Sequence, residues 1–131
     1  MTKMKGHARG LMTPHATTVP RDMALADVAR VLLTAGFDGV PVVEDDVLVG
    51  FLSELDIAQA LLDGRLGSRA GEVMSQRVVH VDEFATTDEV IRTLREHRIH
   101  HLPVVRNGVV VGIITPADVI RHFMGEGGDA A

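Results

Sequence analysis

The feature that most constrains this sequence is an internal repeat. Shifted by 62 positions, the chain matches itself without a gap, so that Asp56 falls on Asp118. The same shift places the phrase GFLSELDIA, which begins at Gly50, on GIITPADVI, which begins at Gly112. This period is longer than that of the usual solenoid repeats. We therefore expect two copies related by a pseudo-twofold axis that bury one shared face, rather than an extended array.

Composition narrows the classes of protein that fit. The 131 residues suit one compact domain or two very small ones. The chain has no Trp or Tyr and only four Phe, so its core must be aliphatic. The absence of Cys excludes disulfides, thiolate metal sites and a thiol nucleophile. The formal net charge of −5 argues against a general nucleic-acid binder.

The sequence also bears on location and on domain boundaries. No stretch is long and apolar enough to cross a membrane, and the start MTKMKGHARG lacks the apolar run of a secretory signal. We therefore expect a cytoplasmic protein that does not contact a membrane. The predicted organisation is a first repeat at 8–63, a linker at 64–69, a second repeat at 70–124 and a disordered tail at 125–131.

Each copy predicts the element order β-α-β-β-α. Three-and-four spacing of apolar residues predicts a first helix that ends near Gly36 in one copy and near Arg98 in the other. A second helix is predicted from Ser53 to about Asp63 and from Thr115 to about Met124. The predicted strands are 17–19, 40–43 and 47–51 in the first copy and 79–81, 102–105 and 109–113 in the second.

Caps and turns support these elements. Thr86 and Glu89 predict a capping box at the first helix of the second copy. The first copy has Ala24 at the position of Thr86, so Asp22 is the better cap candidate there. Asn107-Gly108 predicts a two-residue hairpin turn, because both residues tolerate positive φ. The fold class is therefore α/β (α+β), with two copies packed sheet to sheet.

The repeated phrase has two interpretations. Ser53 with Asp56, and Thr115 with Asp118, each fit a plain capping box at a helix N-terminus. The phrase also recurs at the same place in both copies, directly after a strand. A hydroxyl and a carboxylate at a helix N-terminus suit a nucleotide, because the amides can face phosphate and the carboxylate can accept hydrogen bonds from two ribose hydroxyls.

These residues carry a family resemblance that covers roughly 10–124. The starts LMTP and VMSQ and the strands GVPVVEDDVLVGFLSELD and HLPVVRNGVVVGIITPAD, with their spacing, resemble a pair of cystathionine beta-synthase (CBS) domains, a Bateman module. The resemblance implies two clefts between the repeats that bind adenosyl ligands: AMP, ADP, ATP or S-adenosylmethionine. The resemblance implies a regulatory module with no required cofactor, and the residues themselves predict no enzymatic activity and no metal, since a zinc site needs three or four converging ligands and the chain has no Cys.

The resemblance also assigns roles to residues. Asp56 and Asp118 match the carboxylate that binds ribose hydroxyls, and Ser53 and Thr115 match the hydroxyl near ribose or phosphate. The residues that match the walls of the adenine pocket are Thr17, Gly39, Val40, Pro41, Val79, His101, Leu102 and Pro103. Basic residues before the Leu/Val-Pro pair contact phosphate in nucleotide-binding members.

The two copies differ at that phosphate position. The second has His100-His101, which suits an anionic ligand, whereas the first has Asp38-Gly39. The first cleft is therefore expected to be empty or to prefer a neutral or cationic adenosyl group.

Three functions remain open at this point. The favoured one is a stand-alone regulatory sensor of adenosyl nucleotides that acts on an unknown regulated protein and forms a homodimer through the first helices of each copy. The second is a structural dimerisation module that binds no nucleotide. The third and weakest is a metal sensor that uses the histidines of HRIHH, at 97–101. No P-loop, G-x-S-x-G elbow or other catalytic set is present.

Overall fold

The computed structural model describes residues 6–125, so the predicted tail lies outside them except for Gly125. The chain divides into two compact units. One, here called the contiguous unit, is Thr17–Val78. The other, here called the split unit, combines residues 6–16 with residues 79–125.

The predicted mixed α/β class is confirmed. In chain order the elements are α1 (Ala8–Leu11), β1 (Thr13–Pro14), β2 (Val19–Pro20), α2 (Leu25–Ala35), β3 (Gly39–Glu44), β4 (Val47–Ser53), α3 (Glu54–Leu62), α4 (Ala70–Val73), β5 (Val81–Asp82), α5 (Thr87–His97), β6 (Leu102–Arg106), β7 (Val109–Ile114) and α6 (Pro116–Phe123). Within residues 6–125, no helix is both long enough and apolar enough to span a bilayer.

Each unit has the same strand arrangement. In the contiguous unit, β3 pairs with β2 in parallel and with β4 in antiparallel orientation. In the split unit, β6 pairs with β5 in parallel and with β7 in antiparallel orientation. The hairpin turns have positive φ at both central residues, Asp45-Asp46 and Asn107-Gly108, as the predicted turn requires.

Two short helices and one short strand were not predicted. Helix α1 packs on α5, α6 and β7, and β1 pairs with β7 through Thr13 and Ile113. Helix α4 packs on α3 and β4, and Ser75 bridges to Phe51 of β4. The first residues of each sequence repeat, here called its lead segment, therefore pack in the unit that contains the other repeat's strands. The lead segments are α1 with β1 in the first repeat and α4 with Ser75 in the second.

Each unit buries its own aliphatic core. Helices α2 and α5 each lay their apolar face on the strands of their own unit, as their spacing predicts. The contiguous core consists of Val19, Leu25, Val28, Leu32, Val40, Val42, Leu52, Ile57, Ala60 and Ala70. The split core consists of Ala8, Leu11, Val81, Val90, Leu94, Leu102, Val104 and Ile114.

The helix ends test the predicted caps. Both predicted ends of the first helices are confirmed, and the structure shows that Gly36 and Arg98 are C-caps in the αL conformation. Only half of the predicted capping box forms at α5: Thr86 accepts a hydrogen bond from the Glu89 amide at 3.2 Å, but the Glu89 side chain accepts none from the Thr86 amide. The predicted cap at Asp22 is wrong. Helix α2 begins after Ala24, whose side chain has no acceptor, and its first amide, that of Leu25, donates to the Ser68 carbonyl at 2.9 Å.

Candidate functional site

The repeated phrase forms a capping box in the contiguous unit. Ser53 ends β4 and is the N-cap of α3, where its hydroxyl accepts from the Asp56 amide at 3.1 Å. The Asp56 Oδ2 accepts in return from the Ser53 amide at 2.9 Å. These two bonds fix the carboxylate at the point where the strand turns into the helix, and Asp56 is half-buried there.

The start of β3 lies beside this capping box. Gly39 is the register partner of Ser53, and the Glu54 amide donates to the Asp38 carbonyl at 2.9 Å. A Cβ at Gly39 would lie 2.5 Å from a ring carbon of Phe51, so the strands approach closely only because this residue is glycine. The contiguous unit therefore brings Asp38, Ser53 and Asp56 to one end of its sheet.

The same phrase forms the same box in the split unit. The Thr115 hydroxyl accepts from the Asp118 amide at 3.3 Å, and the Asp118 Oδ2 accepts from the Thr115 amide at 2.8 Å. Pro116 occupies the first turn of α6, where its missing N–H costs nothing. Leu102 pairs with Ile114, so His101 and Thr115 lie next to each other at the ends of paired strands.

The second oxygen of Asp118 is occupied. Its Oδ1 accepts from Arg121 Nη2 at 3.0 Å and from the Thr13 hydroxyl at 3.4 Å. The Asp118 side chain is only 9% exposed, whereas that of Arg121 is 54% exposed. Sequence analysis missed Arg121 and Thr13, although the i,i+3 spacing from Asp118 to Arg121 signals a side-chain pair on a helix.

The matching oxygen of Asp56 is not occupied in the same way. Gln59, at the position of Arg121, donates to Asp63 Oδ1 at 3.1 Å. Ser75, at the position of Thr13, donates to the Arg77 carbonyl at 3.4 Å. No group in residues 6–125 donates to Asp56 Oδ1. The two carboxylates therefore share a backbone setting and differ in their side-chain partners.

The other predicted site residues occupy strands or their approaches. Gly39, Val40 and Pro41 are buried in β3, and Leu102 and Pro103 are buried in β6. Thr17 is exposed just before β2, whereas Val79 is half-buried against the split core. His100 is exposed and His101 half-buried. Across residues 6–125, no three His, Asp or Glu side chains are placed to hold a metal ion.

Comparison with known families decides what this arrangement belongs to. The model of the CBS domain matches twice, over residues 8–63 and 70–125. The chain belongs to the CBS domain family. Hypoxic response protein 1 of Mycobacterium tuberculosis is 30% identical over 120 residues, which are 88% of this chain and 84% of that protein. The CBS domain-containing protein YhcV of Bacillus subtilis is 30% identical over 115 residues, 86% of this chain and 82% of that protein.

Solved structures of CBS proteins have the same fold. The crystal structure of hypoxic response protein I, with two coordinated zinc ions, superposes with a TM-score of 0.81 at 30% identity and covers 89% of this chain and 98% of that one. The structure of CBSX2 in complex with AMP gives 0.80 at 25% identity, over 92% and 97% of the two chains. The CBS domain pair of protein MJ0100, in complex with 5′-methylthioadenosine and S-adenosyl-L-methionine, gives 0.79 at 26% identity, over 94% and 99%.

Proposed function

We propose that this protein is a non-catalytic sensor that binds adenosyl nucleotides at its two repeated phrases. The carrying observation is the pair of capping-box carboxylates, Asp56 and Asp118, each held beside the start of a neighbouring strand. Membership of the CBS family supports this function. So do the complexes of CBSX2 with AMP and of the MJ0100 pair with 5′-methylthioadenosine and S-adenosyl-L-methionine.

The carboxylates suit the sugar of such a ligand. Asp56 uses one oxygen for its own helix cap, and its other oxygen accepts from no group in the described chain, so that oxygen can accept ribose hydroxyls. A hydrogen bond to a charged acceptor contributes about 1.5–3 kcal/mol. The buried strand residues Val40, Pro41, Leu102 and Pro103 supply the apolar surroundings proposed for adenine.

The two sites differ in charge. Asp38 and Glu54 lie beside the Asp56 site and favour a neutral or cationic adenosyl group. His100 and His101 precede the strand beside Thr115 and favour an anionic one. Binding stabilises whichever conformation has the higher ligand affinity, and that conformational shift is the proposed signal to a regulated partner.

We also propose a homodimer formed through the helices of both units. An apolar groove of about 200 Å³ lies between α2 and α3, lined by Leu32, Leu33 and Ile57 among others. A groove of about 310 Å³ lies at the equivalent place between α5 and α6, lined by Leu94, Val119 and Ile120 among others. Leu33 is 75% exposed and Ile120 61% exposed, and exposed apolar patches of this kind mark interaction surfaces.

Nucleotide binding is tested first on the purified protein. Because the chain has no Trp or Tyr, absorbance near 260 nm reports co-purified nucleotide almost directly. Calorimetric titration with AMP, ATP, 5′-methylthioadenosine and S-adenosylmethionine then gives the affinities. Light scattering gives the mass of the particle with and without ligand.

Variants of the two carboxylates then locate the sites. Asp56→Asn and Asp118→Asn keep an oxygen that can accept the cap amide but remove the charge. We expect each to weaken its own site about ten- to hundredfold, the equivalent of the charged hydrogen bonds lost, with little change in melting temperature. Unchanged affinity in both variants would contradict the ribose assignment.

The second candidate function is a dimerisation module that binds no nucleotide. It is favoured by the hydrogen bonds that both oxygens of Asp118 accept from donors of the chain, and by the two apolar grooves. Its signature is a stable dimer that binds none of the nucleotides.

A further inference from the structure

We propose that Arg121 makes the Asp118 site selective for adenosyl ligands that carry a phosphate. Arg121 would act by exchanging its carboxylate partner for the ligand's phosphate when ribose reaches Asp118. This inference rests on the proposed function, because it assumes that Asp118 receives the sugar.

The first step of the argument is that ribose must compete with groups already bound. Arg121 Nη2 and the Thr13 hydroxyl both donate to Asp118 Oδ1. The other oxygen, Oδ2, accepts from the Thr115 amide and, at 3.1 Å, from the Thr115 hydroxyl. A ribose hydroxyl can therefore gain a strong bond to Asp118 only by displacing a donor, and Oδ1 holds the donors that are not part of the cap.

The second step concerns what the displaced arginine does. Arg121 is 54% exposed and Asp118 only 9%, so the guanidinium is the partner that can swing away. Without a new anion, it gives up a charge-assisted bond and receives only water. With a phosphate on the same ligand it regains an anionic partner, in the two-pronged geometry that guanidinium groups favour. A ligand without phosphate thus competes at a net loss.

The third step is the contrast with the contiguous unit. Gln59 replaces Arg121 and is turned to Asp63, and Ser75 replaces Thr13 and is turned to the Arg77 carbonyl. Asp56 Oδ1 then receives ribose without displacing any group of residues 6–125. Gln59 carries no charge that could bind a phosphate. The Asp56 site therefore accepts adenosine or 5′-methylthioadenosine without the loss of an arginine–carboxylate bond.

The experiment removes and transplants the arginine. In an Asp56→Asn background, which isolates the Asp118 site, AMP and adenosine are titrated calorimetrically into protein with and without Arg121→Gln. We expect AMP affinity to fall about tenfold or more, as for the loss of one charge-assisted bond, and adenosine affinity to stay or rise. Arg121→Lys, which keeps the charge but loses the planar fork, is expected to fall between the two.

The reciprocal variant keeps the test independent of any damage to α6. Gln59→Arg in an Asp118→Asn background is expected to raise the ratio of AMP to adenosine affinity at the Asp56 site. Equal losses of AMP and adenosine affinity in Arg121→Gln, or unchanged AMP affinity, would overturn the role of Arg121 and leave the proposed function standing. Failure of the unmodified protein to bind any adenosyl ligand would overturn both.

Discussion

The hairpin ends of the two units hold ion pairs of opposite polarity. In the contiguous unit Arg21 pairs with Glu44 at 3.2 Å, and in the split unit the equivalent positions hold Glu83 and Arg106. The Glu44 side chain is 56% exposed, whereas that of Glu83 is 4% exposed and accepts two hydrogen bonds from Arg106. The shared backbone accommodates an ion pair of either polarity at this place, so the charges of the two units can differ without a change of fold.

The same contrast holds at the opposite end of the sheets. The cap residues are chemically alike in the two copies, with Ser53 at the position of Thr115 and Asp56 at that of Asp118. Both pairs form the capping box that begins the helix. The positions just outside the cap are not alike, since Gln59 stands for Arg121 and Asp38 for His100. The residues that the fold does not fix are therefore the ones that distinguish the two sites.

The largest expected effect comes from adding a methyl group at the equivalent glycines Gly50 and Gly112, each of which contacts a methionine of a lead segment. A Cβ at Gly50 would lie 2.2 Å from Met74 Sδ and 3.0 Å from the Ser75 carbonyl oxygen. A Cβ at Gly112 would lie 2.3 Å from Met12 Sδ. We expect Gly50→Ala and Gly112→Ala each to lower the free energy of unfolding by about 1–3 kcal/mol, typical of overpacking.

Chemical denaturation measures both losses. Gly67→Ala is the matched control, because a Cβ there meets no atom within 4 Å, and it should leave stability nearly unchanged. A large loss in one unit with none in the other would show that the two lead segments are not seated alike.

The starts of α2 and α5 differ in their side-chain caps, and a single substitution in each helix can exchange this difference. Thr86 caps α5, whereas Ala24 at the start of α2 cannot. We expect Thr86→Ala to cost about 0.5–2 kcal/mol and Ala24→Thr to recover part of that amount for α2. Thermal unfolding of both variants measures the difference. A destabilising Ala24→Thr would mean that the Leu25 bond to Ser68 leaves no room for a side-chain cap.

The smallest expected effect concerns the two ion pairs. The hydrogen bonds from Arg106 hold the pKa of Glu83 below its ordinary value, against the opposing effect of burial. The unfolded chain therefore binds this proton more readily, so the pair stabilises the fold above the ordinary carboxyl pKa and loses that contribution as pH falls through the lowered value. The effect is limited because the Arg106 side chain stays 62% exposed.

Matched glutamines test this pH dependence. We expect Glu83→Gln to be less stable than the unmodified protein at neutral pH and to approach it in acid. Glu44→Gln should follow the unmodified protein throughout, because an exposed pair contributes little. A constant gap between Glu83→Gln and the unmodified protein at all pH values would contradict the linkage.

Local signals predicted much of this fold. Periodicity located α2 and α5, the repeated cap phrase located the starts of α3 and α6, and the Asn107-Gly108 pair located a turn. Each of these signals depends on neighbouring residues alone. Helices α1 and α4 span four residues each, too few for any period to register. The missing cap at Ala24 could not be predicted either, because Ser68, which satisfies the first amide of α2, lies far along the chain.

The candidate site was only partly accessible to the same reasoning. The cap residues were found because they are repeated. Arg121 was missed because attention to the repeat favours what the copies share, although the aligned pair Gln59 and Arg121 was visible in the sequence. The hydrogen bond from Thr13 to Asp118 joins residues far apart in sequence, which no local pattern reveals.

Because each lead segment packs in the unit of the other repeat's strands, the two units can be completed only one after the other during synthesis. Everything the contiguous unit needs has left the ribosome once Val78 emerges. Helix α1 is made before the contiguous unit, yet the surface of α5, α6 and β7 on which it docks is made after that unit. Helix α1 must therefore wait, with Ala8 and Leu11 unburied, until translation has passed α6.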